Sequence, residues 1–182
     1  MLLCAFNYLH DFKIIYCDLK PKNILLDALI YITIYDFGLC KLKTTEEDRG
    51  TLEYPPPELL LGQGLTQIVD WWTLGVFLYE MLIGLPPFYD EDTGEIHRKI
   101  LSEPINFPCV NLVPTAKDIL SKLINRKPDQ RLGANGAFEI KSHPFFHGID
   151  WHKLLQRKYE PTFKPSDVTE IFCEDASPKL LR

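Results

Sequence analysis

Asp18-Leu-Lys-Pro-Lys-Asn23 and, thirteen residues beyond its asparagine, Asp36-Phe-Gly38 set two carboxylates, an amide and two lysines within a short stretch of chain. Carboxylate and amide oxygens are hard ligands of the kind Mg2+ accepts, so Asn23 and Asp36 are the candidate metal ligands. Phosphoryl transfer needs such a cation to neutralise the migrating oxygens. It also needs a group to take or orient the proton of the attacking hydroxyl, for which Asp18 is the candidate, and a positive charge, for which Lys20 is. Asp and Asn also serve as turn and cap residues around hairpins. The order and spacing of the two patterns, with short apolar clusters between them, favour the chemical reading.

These residues need elements to hold them. Leu2, Leu3, Phe6 and Leu9 recur at helical spacing and predict a helix over residues 1–9. Ile14–Tyr16, Ile24–Leu26 and Ile32–Ile34 are too short for helices and predict small paired strands. Residues 40–66, rich in charge, Pro and Gly, predict a long loop, which in a compact domain is usually functional. From Thr66, a candidate cap, to Gly84 the chain predicts a helix that is apolar on nearly every side and therefore central. Thr115-Ala-Lys-Asp118 has the form of a capping box ahead of an amphipathic helix. The expected fold class is mainly α with short β-hairpins, followed after His147 by a polar, Pro-dotted tail lying on a surface.

Bulk properties narrow the partners. The 182 residues are 46% hydrophobic and 25% charged, a globular composition with room for one domain. A net charge of −5 without a basic stripe argues against nucleic acid and leaves basic peptides as a possible cargo. Cys4, Cys17, Cys40, Cys109 and Cys173 are scattered singly, which fits a reducing, cytoplasmic setting and offers no zinc spacing. The apolar run Leu74–Leu85 is too short to span a bilayer, and the amino terminus has no signal-peptide pattern. Nothing in the sequence bears on oligomeric state.

Taken together, these motifs resemble the carboxy-terminal lobe of AGC-family serine/threonine protein kinases. Asp18 and Asn23 match the D-L-x-x-x-N half of the catalytic loop, and Asp36-Phe37-Gly38 matches the magnesium-binding triplet. Gly50-Thr51-x-Glu53-Tyr54 resembles the substrate-binding loop, and Pro57-Glu58 the end of the activation segment. Asp36-Phe-Gly-Leu-Cys-Lys41 and Gly84-Leu-Pro-Pro-Phe-Tyr-Asp-Glu-Asp92 are similar to the serum/glucocorticoid-regulated kinases and their fungal counterparts.

The resemblance implies ATP and Mg2+ as cofactors and Ser/Thr of a protein or peptide as acceptor. It implies that Asp18 and Lys20 are catalytic, that Lys20, Asn23 and Asp36 bind the cofactor, Asn23 and Asp36 as its metal ligands, and that Thr51 is substrate-binding, its counterpart in the family contacting the catalytic aspartate and lysine. It further implies that Glu58 pairs with Arg131, that Asp70 anchors the catalytic-loop backbone, and that His143-Pro-Phe-Phe146 and Trp151 lie in closing helices. Residues 1–147 are then the kinase lobe and 148–182 the start of the tail. The non-catalytic alternative is a peptide-binding module, with a groove between the Thr51 loop and a helix near Ile96, or a fragment of a longer kinase.

The sequence departs from the family pattern in ways that bear on activity. A Gly-rich phosphate loop, a strand lysine and a helix glutamate are not among the 182 residues, so the chain by itself is expected to be inactive. Cys17 stands where the family has an arginine that grips a phosphorylated threonine, and the segment before Gly50 is about five residues short. Both changes predict a chain not switched by phosphorylation there, with Thr44 and Thr45 as ordinary loop residues. The adjacent Asp18 predicts a poorly reactive Cys17 thiol. Ile30 replaces a turn glycine and predicts local strain, and Leu52 replaces a proline.

Overall fold

The structure is a computed structural model that describes residues 1–27, 31–42, 54–108 and 112–160. It comprises helices α1 (Leu2–Asp11), α2 (Pro57–Leu60), α3 (Ile68–Ile83), α4 (Thr93–Ser102), α5 (Pro114–Leu123), α6 (Ala137–Lys141) and α7 (Trp151–Leu155). Strands β1 (Ile14–Ile15), β2 (Ile24–Leu26), β3 (Ile32–Ile34) and β4 (Lys41–Leu42) form two antiparallel pairs. The mainly helical architecture with short strands is as expected. Only β2 and β3 form a hairpin among the described strands; β1 pairs with β4 across it, Ile15 opposite Lys41.

Helix α3 organises the interior because its apolar residues run right round it. Trp71, Leu74 and Phe77 face one cluster with Leu3 and Phe6 of α1, Ile119 and Leu123 of α5 and Ile140 of α6. Trp72, Val76 and Tyr79, shifted round the helix, face another with Phe88, Ile96, Ile100 and Leu120. Both tryptophans are thus core filling, as large aromatic rings in a greasy helix should be. The helix ends where Gly84 takes a left-handed φ of 96°, the conformation glycine supplies without penalty. Midway, Gly75 permits close approach of α5, since a β-carbon there would stand 2.8 Å from Leu123 Cβ.

Several local expectations are corrected. The first helix runs on to Asp11, because a β-turn-like exit at Phe12 and Lys13 still satisfies its last carbonyls. The expected loop over 40–66 contains β4 and α2, the former formed only because β1 lies beside it. Thr66 does not cap α3 through its side chain; only its carbonyl takes part, accepting from Val69 N–H at 3.0 Å. The Thr115–Asp118 capping box is not formed either. Helix α5 starts one residue earlier at Pro114, whose fixed φ suits a first helical position, and Val113 precedes it without a side-chain cap. Asp118 instead bonds Lys122 and His143. Past His147 the outcome is as expected for Trp151, which opens the short helix α7, with Asp150 accepting Lys153 N–H at 3.0 Å.

Candidate active site

The site grows from the chain leaving β1. Asp70, fully buried near the start of α3, accepts the backbone N–H of Tyr16 at 2.9 Å and of Cys17 at 2.8 Å. A third donor, His10 Nε2 at the end of α1, reaches the same carboxylate at 2.7 Å. A buried charge is tolerable only when its lone pairs are used, and here three donors use them. The tie holds Cys17 at a φ of 70°, a left-handed conformation costly for a side-chain-bearing residue. That turn sends Asp18 into the site.

Asp18 is buried and fastened on two sides. Lys20 Nζ stands 2.8 Å from Oδ2 and 3.1 Å from Oδ1. Asn23, in the 3-10 turn Pro21–Asn23, donates its amide to Asp18 Oδ2 and to the Asp18 carbonyl, both at 2.8 Å. With its NH2 group turned toward Asp18, Asn23 presents its carbonyl oxygen elsewhere, which is the atom a hard cation takes.

Asp36 enters from the other side of the β2–β3 hairpin. The ladder sets Ile24 opposite Ile34, and Tyr35 N–H donates to the Asn23 carbonyl at 3.1 Å, so Asp36 emerges one residue past Asn23's partner. Asp36 has a φ of 61°, is exposed, and accepts Gly38 N–H at 3.1 Å. A side chain at Gly38 would crowd that oxygen, with a β-carbon 3.1 Å from Asp36 Oδ1. The hairpin therefore brings an amide oxygen and a solvent-facing carboxylate to one edge. Such a donor set fits Mg2+.

Tyr16, not singled out from sequence, lies among these groups. Its hydroxyl donates to the Tyr35 carbonyl at 2.7 Å and its ring meets Phe37 edge-on at 5.6 Å. Burial first, then the neighbouring Cys40, Asp18 and Asp36, push its phenol well above the ordinary value. Burial raises the Cys17 thiol too, with Asp70 the next cause, and pushes Cys40 up to about 12. The poor reactivity expected of Cys17 thus has burial as its main cause, and Asp18 is a minor one.

Beside the loop is a cavity of about 280 Å3 lined by Asp18, Lys20, Tyr54, Val76, Phe77 and Glu80 among others. Ile96 does not line it and is buried against the core; the Thr51 side of the groove expected near Ile96 lies outside the described residues. Thr51, Thr44, Thr45, Ile30 and Leu52 lie outside the described residues. Glu58 of α2 and Arg131 meet as expected in a buried bidentate pair, at 2.6 and 2.8 Å. His143 is a packing and capping histidine, accepting Phe145 N–H at 3.2 Å.

His10 escaped the sequence reading. It is 60 positions from its partner, and no local spacing marks it. Among the described residues no group of three or more His, Cys, Asp and Glu is placed to hold a metal ion, and no helix is long and apolar enough to cross a membrane.

Residues 1–146 match the family model for the protein kinase domain. The chain is 63% identical to the serine/threonine protein kinase ypkA of Aspergillus fumigatus over 97% of its own length and 29% of that protein's. It is 58% identical to the serine/threonine-protein kinase gad8 of Schizosaccharomyces pombe, over 93% of the chain and 31% of that protein. It is 47% identical to the serine/threonine-protein kinase Sgk3 of Rattus norvegicus, over 96% of the chain and 38% of that protein. The chain thus spans about a third of the length of these relatives.

Proposed function

This chain belongs to the protein kinase family, among the AGC serine/threonine kinases, and we propose that residues 1–147 are its carboxy-terminal lobe and 148–182 the start of its tail. The reaction we assign is transfer of the terminal phosphoryl of ATP to a Ser or Thr hydroxyl of a protein substrate. Asp18 orients and accepts the hydroxyl proton, and Lys20 offsets charge on the migrating group. Asn23 and Asp36 hold Mg2+, which when bound neutralises the phosphate oxygens. Thr51 is assigned to substrate binding on the family resemblance alone. The observation that supports this reading is the pair of hydrogen bonds that the Asn23 amide donates to the Asp18 carboxylate and carbonyl, which hold the proposed base against a proposed metal ligand.

The cavity beside Asp18 is the proposed seat of the acceptor peptide. Glu80 and the net charge of −5 favour a basic one, and the single cysteines favour the cytoplasm. Peptide binding without turnover is the second reading, favoured by the same cavity and by the departure at Cys17. The 182 residues alone are expected to turn over negligibly, since the phosphate-clamping motifs are not among them.

Phosphorylation of a basic Ser/Thr peptide is the test, run with the 182-residue chain and with the longest polypeptide that contains it. Activity in the longer protein that Asp18→Asn reduces by about 10³-fold or more supports the assignment. Activity indifferent to Asp18→Asn would sink it, and peptide binding that ignores Mg·ATP would favour the second reading.

A further inference from the structure

The segment after α7 returns to the hairpin that carries the candidate metal ligands. Arg157 Nη1 donates to Asp27 Oδ2 at 2.9 Å, across 130 residues of sequence. Its guanidinium also lies 5.2 Å from the centre of the Tyr31 ring. Tyr31 in turn donates its hydroxyl to the Tyr159 carbonyl at 3.0 Å, while its N–H bonds Asp27 Oδ1 at 2.8 Å. Asp27 N–H donates to the Tyr31 carbonyl at 2.9 Å, closing the end of the β2–β3 ladder. Tyr159 is itself held, its hydroxyl accepting Asp150 N–H at 2.9 Å and its ring lying 5.0 Å from Lys153 Nζ.

Arg157 occupies an unusual place. It follows the end of α7 with a φ of 56°, the left-handed position that glycine ordinarily fills after a helix. An arginine there costs local energy that glycine avoids. The conformation directs the side chain onto Asp27 and Tyr31. One exposed ion pair is worth little, but here charge, ring and two tyrosine bonds converge on one hairpin end.

Residues held at that end are coupled through a short ladder to the other. Asn23 and Tyr35 close the opposite end, and Asp36 follows immediately. We propose that Arg157 is a positioning residue: with Tyr159, it pins the Asp27–Tyr31 end of the hairpin, and so fixes the spacing at which Asn23 and Asp36 present their oxygens to a divalent cation. The inference rests on the metal-ligand reading of Asn23 and Asp36 given above.

Mn2+ is the probe, its affinity for the 182-residue chain read by electron paramagnetic resonance, with amide exchange of residues 23–36 followed in parallel. Arg157→Gly relieves the left-handed strain and removes the side chain, so a purely local role predicts an equal or better folded protein with unchanged Mn2+ binding. Positioning predicts faster exchange across the hairpin and Mn2+ affinity lowered about tenfold, as for loss of a group behind a metal ligand. Arg157→Lys, which keeps the charge, is expected to recover most of both. Hairpin exchange and affinity unchanged in Arg157→Gly would overturn the proposal, as would equal loss in Arg157→Lys and Arg157→Gly. Mn2+ binding indifferent to Asp36→Asn would instead sink the metal-ligand reading, and the exchange data would still decide whether the clamp orders the hairpin.

Discussion

Asp70 holds Cys17 by its backbone: the carboxylate accepts the Cys17 N–H at 2.8 Å while Cys17 sits at a φ of 70°. The charge in the middle of the core is thereby converted into a fixed direction for Asp18, one residue on. The same carboxylate binds Tyr16 N–H and His10, so its removal strands three donors in a dry interior.

Asp70→Asn is expected to destabilise the chain by roughly 3 kcal/mol, because an amide offers one acceptor oxygen where three donors converge, and turns an N–H toward another. Urea unfolding followed by circular dichroism gives the loss. Amide exchange at Tyr16 and Cys17 should accelerate beyond that of α5. A loss below about 0.5 kcal/mol would contradict the anchoring role.

Glu58 and Arg131 form the second long-range tie, both side chains being almost entirely out of solvent. Breaking it from one side leaves an unpaired buried charge, so Glu58→Gln or Arg131→Met should each cost about 3–5 kcal/mol. The double substitution should cost clearly less than the sum, since neither charge is left behind. Additive losses in a double-mutant cycle would show that the pair does not interact as the geometry requires.

Glu139 shapes the acid limb of stability. Its carboxylate accepts Asn135 Nδ2 at 2.6 Å and Gly133 N–H at 2.9 Å, and these bonds, Asn135 first, hold its pKa below the ordinary 4.5. A folded-state pKa below the unfolded one means the contribution is present above about pH 4.5 and disappears as pH falls through the folded value. Glu139→Gln should therefore be less stable at neutral pH and converge on the parent as the medium is acidified below that point. Urea midpoints between neutral pH and pH 3 test this; a gap that widened on acidification would refute it.

Cys17 and Cys40 should resist alkylation in the folded chain. With burial pushing Cys40 to about 12 and Cys17 higher, thiolate at pH 8 amounts to about one part in ten thousand for Cys40. Iodoacetamide labelling mapped by mass spectrometry should reach both only in denaturant. Native labelling as fast as in urea would mean that the thiols are not shielded as described.

The candidate site was legible in the sequence because its parts are close along the chain. Asp18, Lys20 and Asn23 lie within a single turn's reach, and a short hairpin suffices to return Asp36 to Asn23. Helix α3 was equally plain, since a run apolar on every side has only the interior to occupy. Caps were less so: Thr66 and Thr115 have the right side chains, but Pro114 and the packing of α5 on α3 chose other starts.

By itself the sequence determined the chemistry on offer and the order of the elements, because residue type and spacing act over a few bonds. The tertiary structure decided which distant groups meet around the candidate site: His10 on Asp70, β4 beside β1, Arg157 and Tyr159 on the hairpin. Those contacts span tens to more than a hundred residues, and no local pattern encodes them. They exist because burying both faces of α3 draws the remaining elements around it, and a polar group in that interior must find its partner there.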